Sequence, residues 1–201
     1  MDPAPTSGAT ASGTTAGDAT AGLVVLDARQ LAADPERAAA FAASARRILA
    51  DLVAGGAALG WVEPPSQDEV AELLARVASE ARASDAALRA AYLGRRLVGL
   101  GYWRRYARPT HRPHADLEKL AVDSAAQGHG VGRALTAALI ADAEEAGVEV
   151  LTLDARGDNT GALSLYRSLG FSDYGRLPDF VAVGERRYDK VFQMLDLRRR
   201  H

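Results

Sequence analysis

Residues 127–133 read Gln-Gly-His-Gly-Val-Gly-Arg. Glycines at 128, 130 and 132 let a backbone approach a ligand closely. If a helix starts at Val131, its unpaired amides point outward and favour an anion. Phosphate or pyrophosphate is the natural guest, and Arg133 adds positive charge. A phosphate loop of the Walker type needs Gly-Lys-Ser/Thr, and the sequence has Gly132-Arg133-Ala134, which excludes it. The dinucleotide fingerprint G-x-G-x-x-G nearly fits from Gly128, with Asp154 in the place of a ribose-binding acid. Its third glycine would be Arg133, and too little chain follows to complete such a sheet. Downstream stand Asn159, Tyr166 and Gly170-Phe171, and three acids, Asp116, Glu118 and Asp154, lie within reach of strand ends.

The elements that must position these groups follow from periodicity and caps. Leu23–Leu26 reads as a short strand. Asp34-Pro35 opens a helix, a capping residue before proline at the first helical position. Phe41, Ala45, Ile48, Leu49 and Leu52 form its apolar face, and Gly55-Gly56 end it. Ser66 and Glu69 make a capping box for a second helix carrying Val70, Leu73, Leu74 and Val77. Residues 87–92 and 97–106 read as a hairpin turning at Gly94, and 117–122 as a strand with the apolar run Leu120-Ala121-Val122. A helix over 131–146 stops at Gly147. Then come a strand over 148–153 and a helix over 159–169. Strands around 171–175 and 187–197 close the chain. The order β-αα-βββ-α-β-α-ββ predicts an α/β domain with one mixed central sheet flanked by helices.

Composition narrows the function classes. The 201 residues are 48% hydrophobic and 25% charged, the balance of a globular domain. Cysteine is absent, which removes thiolate nucleophiles, disulfides and Cys-ligated metals. Four histidines without HExxH spacing predict no metal site. A net charge of −2 gives no general attraction to nucleic acid or anionic membrane, so neither is expected as a partner. No apolar run approaches the roughly 20 residues needed to span a bilayer. Residues 1–22 have no large apolar side chain after Met1, and neither the basic start nor the apolar run of a signal peptide. They are expected to be a disordered tail ahead of a single domain over 23–201, in a cytoplasmic protein.

The ordered set Gln127-x-x-Gly130-x-Gly132, then Asn159, Tyr166 and Gly170-Phe171, resembles the GNAT superfamily of N-acetyltransferases. The resemblance spans roughly residues 86–197. Gly175-x-Leu177-Pro178 and the strand after it resemble the branch of tabtoxin-resistance acetyltransferases. What this implies is direct transfer of an acetyl group from acetyl-CoA to an amine. The pyrophosphate would rest on the amides of Gly128, His129, Gly130, Val131, Gly132 and Arg133, with Gln127 heading the motif. Strand splaying would free backbone groups of Leu120, Ala121 and Val122 for the pantetheine arm, and Asn159 would add a side-chain bond. The resemblance makes Tyr166 the acid on the sulfur side. The base on the amine side is Glu118, ranked ahead, or Asp154; either could instead be a solvated or salt-bridged surface acid. A small-molecule amine, for example an antibiotic or toxin, is the expected acceptor, and a homodimer is left open. A protein or peptide amine is the same-fold alternative. A non-catalytic acyl-CoA-binding module is the alternative of a different class.

The acceptor region is less legible. Trp61, Tyr102 and Trp103 are candidates to wall a pocket, or are ordinary core and surface aromatics. Arg104, Arg105, Arg108 and Arg112, with His111 and His114, read as a solvated basic loop before any acidic-partner surface.

Overall fold

A computed structural model describes residues 22–199. The tail expected over 1–22 therefore lies, apart from Gly22, outside the described residues. Strand β1 (Leu23–Asp27) runs directly into a short helix α1 (Ala28–Ala32) that the periodicity did not separate. Its cause is local. The Asp27 carboxylate accepts from the Gln30 amide at 2.7 Å while the Gln30 side chain accepts from the Asp27 amide at 2.9 Å, a complete capping box. Helix α2 (Pro35–Ala54) is capped by Asp34, and α3 (Gln67–Arg82) by the Ser66–Glu69 box.

The sheet contains β1, β2 (Ala86–Leu93), β3 (Arg96–Arg105), β4 (His114–Val122), β5 (Val150–Arg156), β6 (Ser172–Val183) and β7 (Arg186–Asp196) in the order β1-β2-β3-β4-β5-β7-β6. Helix α4 (Val131–Glu145) joins β4 to β5, and α5 (Thr160–Ser168) joins β5 to β6. Among the described residues only β4 and β5 pair in parallel, as a crossover through a helix requires. The sheet separates two cores. On one face α2 and α3 pack on β2, β3 and β4, with Ile48, Leu49, Val70, Val77, Leu100 and Tyr102 buried between them. On the other, Leu139, Ala143, Leu117, Leu151, Leu153 and Phe171 form the core beneath α4 and α5.

Among the strands that exceed their expected bounds are β4 and β6. β4 starts three residues early, at His114, and β6 runs on to Val183. The second is physically informative, since Pro178 cannot donate to a ladder. β6 accommodates it with a register shift between Leu177 and Val181, and Asp179 takes a φ of 54°.

The feature that opens the sheet lies in β4. Leu100 faces Ala121 and Tyr102 faces Glu118, so Lys119 and Leu120 together oppose Gly101. This is a β-bulge, which bends and twists its strand. Lys119 adopts a φ of 49°, and a Cβ on Gly101 would come within 2.8 Å of Leu120 Cδ1. Pairing of β4 with β5 covers only 114–116 against 150–152. Past Asp116 and Thr152 the strands part, leaving one edge of β4 unpaired. Among the described residues no helix is long and apolar enough to cross a membrane.

Candidate active site

A cleft of about 1100 Å³ follows the gap between β4 and β5. It is lined by twelve of the fourteen residues selected from the sequence: Glu118, Leu120, Val122, Gln127, Gly128, Gly130, Val131, Gly132, Arg133, Asp154, Asn159 and Tyr166. The other two behave differently. Ala121 is buried in the core under α2 and α3, so only its backbone could serve, and His129 is exposed.

At one end the glycine loop forms the wall. Gly128 and Gly130 take φ values of 78° and 77°, a region that favours glycine, and Gly130 is the N-cap of α4 without a side-chain cap. The first amides of α4 are therefore left for a ligand. Gly132 serves another purpose: a Cβ there would meet Leu165 Cδ2 at 3.2 Å, so this glycine lets α4 approach α5. Gln127 Nε2 donates to the Val122 carbonyl at 3.2 Å, which ties the loop to the end of β4. Asn159 caps α5 by accepting from the Ala162 amide at 3.2 Å, leaving its amide NH2 as the group available to a ligand.

A residue that sequence reasoning missed holds this end in place. Asp123 accepts from Arg96 at 2.8 Å, from Arg47 at 3.1 Å and from the Ala125 amide at 3.1 Å. Burial pushes its carboxyl up, but these hydrogen bonds outweigh burial and hold it below the ordinary range. A depressed pKa stabilises the fold above the unfolded value, about 3.9, and that contribution is lost as pH falls through the folded one. Asp123→Asn should thus lower stability at pH 7 by about 1 kcal/mol, since both arginines are half exposed and screened. Denaturant melts should show the difference closing below about pH 4. The signal was an aspartate directly after a strand and before a short turn, a common cap.

At the other end sit the acids. Asp154 does not end its strand, since β5 continues to Arg156, and its carboxylate pairs with Lys190 at 3.1 Å. Glu118 accepts from the Tyr102 hydroxyl at 3.4 Å and lies 3.8 Å from Arg104. Asp116 is more enclosed, and its Oδ1 accepts from the Thr152 hydroxyl at 2.6 Å. Burial pushes its carboxyl up to about 6; the Thr152 bond opposes this, the charges of Glu118 and Asp154 add to it, and Lys190 opposes it. Tyr166 is buried in the α4–α5 core, its ring 5.8 Å from that of Phe171, yet it borders the cleft. Among the described residues its hydroxyl has no hydrogen-bond partner. Burial, with the Asp154 charge adding, pushes that hydroxyl up to about 12, so it stays protonated near neutral pH.

The aromatic candidates for an acceptor pocket divide. Trp103 is a core residue whose Nε1 donates to the Leu139 carbonyl at 3.0 Å. Tyr102 is fully buried on the opposite face. Trp61 is half buried and stacks under Lys119 Nζ, 4.5 Å from its ring centre, while that ammonium donates to the Leu59 carbonyl at 2.9 Å. The basic stretch is partly neutralised: Arg104 is bidentate to Glu80, and Arg112 pairs with Asp85.

Comparison with known proteins meets this geometry. Among curated proteins, 83 residues are 36% identical to an Escherichia coli (strain K12) [ribosomal protein bS18]-alanine N-acetyltransferase, covering 41% of this chain and 56% of that one. A stretch of 60 residues is 42% identical to a mycothiol acetyltransferase of Saccharomonospora viridis, 30% of this chain and 20% of that one. The chain thus spans little more than half the length of the first of these relatives and a fifth of the second. An N-acetyltransferase from Staphylococcus aureus Mu50 shares the fold with a TM-score of 0.75 at 18% identity, covering 87% of this chain and 98% of that one. So does a Sinorhizobium meliloti phosphinothricin acetyltransferase solved with acetyl-CoA, with a TM-score of 0.72 at 21% identity over 87% of this chain and 88% of that one. Residues 53–171, more than half of the sequence and the stretch that holds the bulge, the glycine loop and Tyr166, match the model of the acetyltransferase (GNAT) family, and the chain belongs to that family.

Proposed function

We propose that the chain is an N-acetyltransferase that moves an acetyl group directly from acetyl-CoA to the primary amine of a small molecule. The observation that carries this is the continuity of the cleft, which joins an anion cradle, an unpaired strand edge, a buried phenol and a group of carboxylates. Acetyl-CoA is consumed as a substrate, and the residues fit its parts. The amides from Gly128 to Arg133 would hold the pyrophosphate, in a loop where a Cβ on Gly128 would meet no atom within 4 Å. The free edge of β4 over Leu120–Val122 would take the pantetheine amides. The Tyr166 hydroxyl would donate to the departing sulfur.

The carboxylates address the harder half of the reaction. An alkyl amine has a pKa of about 10.4, so only about 1 in 10³ is neutral near pH 7.4, a cost of about 4 kcal/mol. Anions beside the cleft attract the ammonium form, and a carboxylate among them can take its proton. The acceptor end is walled by the Gly55–Gly60 loop and Lys190, which favours a compact amine. The ribosomal-protein relative favours a second reading, a protein N-terminus as acceptor.

A panel of small amines and short peptides, incubated with the protein and acetyl-CoA, tests both readings. Free thiol should appear only with a productive amine, and mass spectrometry should identify an acetylated product of that amine. Turnover confined to peptides would replace the small-molecule reading. Tight acetyl-CoA binding with no product from any amine would favour a non-catalytic acyl-CoA module.

A further inference from the structure

We propose that Asp116, not Glu118 or Asp154, receives the proton of the acceptor amine, and that Thr152 and Tyr106 are positioning residues that hold its carboxylate and lead the proton to the surface. The inference rests on the amine-acetylation reading above. Three observations point to it.

The first is placement. Asp116 and Thr152 form the last pair of the parallel β4–β5 ladder, so Asp116 stands where the strands part and borders the cleft that Tyr166 also borders. The second is what its neighbours already do. Asp154 is paired with Lys190, and Glu118 is bound by Tyr102 and lies near Arg104. Among the described residues no lysine or arginine pairs with Asp116. A carboxylate enclosed without a cation is the one that gains most by taking a proton. Burial accordingly leaves Asp116 poised near neutral pH, with Glu118, Asp154 and Lys190 as the charged groups that face it.

The third is a chain of hydroxyls. Thr152 Oγ1 lies 2.6 Å from Asp116 Oδ1 and 2.6 Å from the Tyr106 hydroxyl, and Tyr106 is 36% exposed. With Asp116 ionised, Tyr106 donates to Thr152 and Thr152 donates to Asp116. With Asp116 protonated, every bond can reverse, so that Asp116 donates to Thr152 and Thr152 to Tyr106. The same two bonds therefore stabilise the charged base and offer its proton a way out that avoids the cleft.

The protons balance as follows. The ammonium gives one proton to the Asp116 carboxylate, and the neutral nitrogen forms the N–C bond at the thioester carbonyl. The C–S bond then breaks. The second nitrogen proton ends on the CoA thiolate, with the Tyr166 hydroxyl donating to sulfur and recovering its proton from nitrogen. The products are amide, thiol and one proton, which leaves from Asp116.

Two measurements test this. The first is the pH dependence of kcat/KM with a productive amine. Wild type should show an acidic limb near pH 6 that Asp116→Asn abolishes. Thr152→Val should move the limb up by about one unit, near what one hydrogen bond to a charged group contributes. Tyr106→Phe should move it less in the same direction, and Thr152→Ser should restore it. The second needs no acceptor: a carboxyl-carbon NMR titration of aspartates in the same proteins. One resonance should titrate near pH 6, vanish in Asp116→Asn and move up in Thr152→Val. A limb kept in Asp116→Asn and lost in Glu118→Gln or Asp154→Asn would overturn the proposal. So would a limb and resonance unmoved by Thr152→Val. If no amine is turned over, the acetylation reading fails by itself, and the NMR titration still decides whether Thr152 poises Asp116.

Discussion

Tyr166→Phe should lower kcat by about 10- to 1000-fold while leaving acetyl-CoA affinity nearly unchanged. The ring contributes to the core under α4 and α5, and phenylalanine keeps that packing against Phe171. What disappears is one hydroxyl that borders the cleft and has no protein partner among the described residues. Its chemistry is constrained by its environment. A phenol raised to about 12 is a weaker acid than a thiol of about 8.5, so outright protonation of the thiolate is uphill by several kcal/mol. Tyr166 should act instead as a hydrogen-bond donor to the developing sulfur anion, passing a proton only as it receives one. Two consequences separate this from a free general acid. The loss in Tyr166→Phe should be nearly constant between pH 6 and 9, since the group does not titrate there. Acyl donors with better leaving groups should lose less, since they need the donor less. Full turnover in the variant would remove Tyr166 from the mechanism, and an equal rise in Kd for acetyl-CoA would make its role one of binding.

Local signals in the sequence carried most of the elements. The Ser66–Glu69 box, the Asp34-Pro35 start and the stop at Gly147 each depend on residues a few positions apart, and each stands in the structure. α1 is legible by the same rule, since Asp27 and Gln30 form a box. What was not legible depends on partners distant along the chain. The bulge at Lys119 and Leu120 requires Gly101 on the neighbouring strand to make room for a leucine. The resemblance implied a splay there but gave it no physical cause. Asp116 stands in the sequence only as one of three acids near strand ends. Its distinction comes from Thr152 on the next strand and Tyr106 after β3, neither of which spacing can bring together. Tyr102 and Trp103, adjacent in sequence, point to opposite cores, as strand alternation requires, so neither could wall a pocket.

The glycine loop supplies the second large effect, and the structure separates two residues that the motif treats alike. Gly130→Val should weaken acetyl-CoA binding by about 10- to 100-fold, whereas Gly132→Ala should change it little. Gly130 sits at a φ of 77° as the N-cap of α4, and a β-branched residue is strained there by about 1–3 kcal/mol. The loop can relieve that strain only by turning the peptide planes that present the first amides of α4. Those amides are the proposed seat of the pyrophosphate, so the strain should appear as lost affinity, at about tenfold for each 1.4 kcal/mol. Gly132 lies inside the first turn of α4 without a positive φ, and the atom nearest an added Cβ is the end of a leucine side chain, Leu165 Cδ2. A leucine terminus can move by a few tenths of an ångström, so alanine at 132 should cost some α4–α5 packing and little binding. Calorimetric titration of both variants, with thermal melts to confirm folding, measures the difference. Equal loss at both positions would mean that helix packing, not backbone presentation, governs the site. Unchanged affinity in a folded Gly130→Val protein would show that the amides at the start of α4 are not where the anion binds.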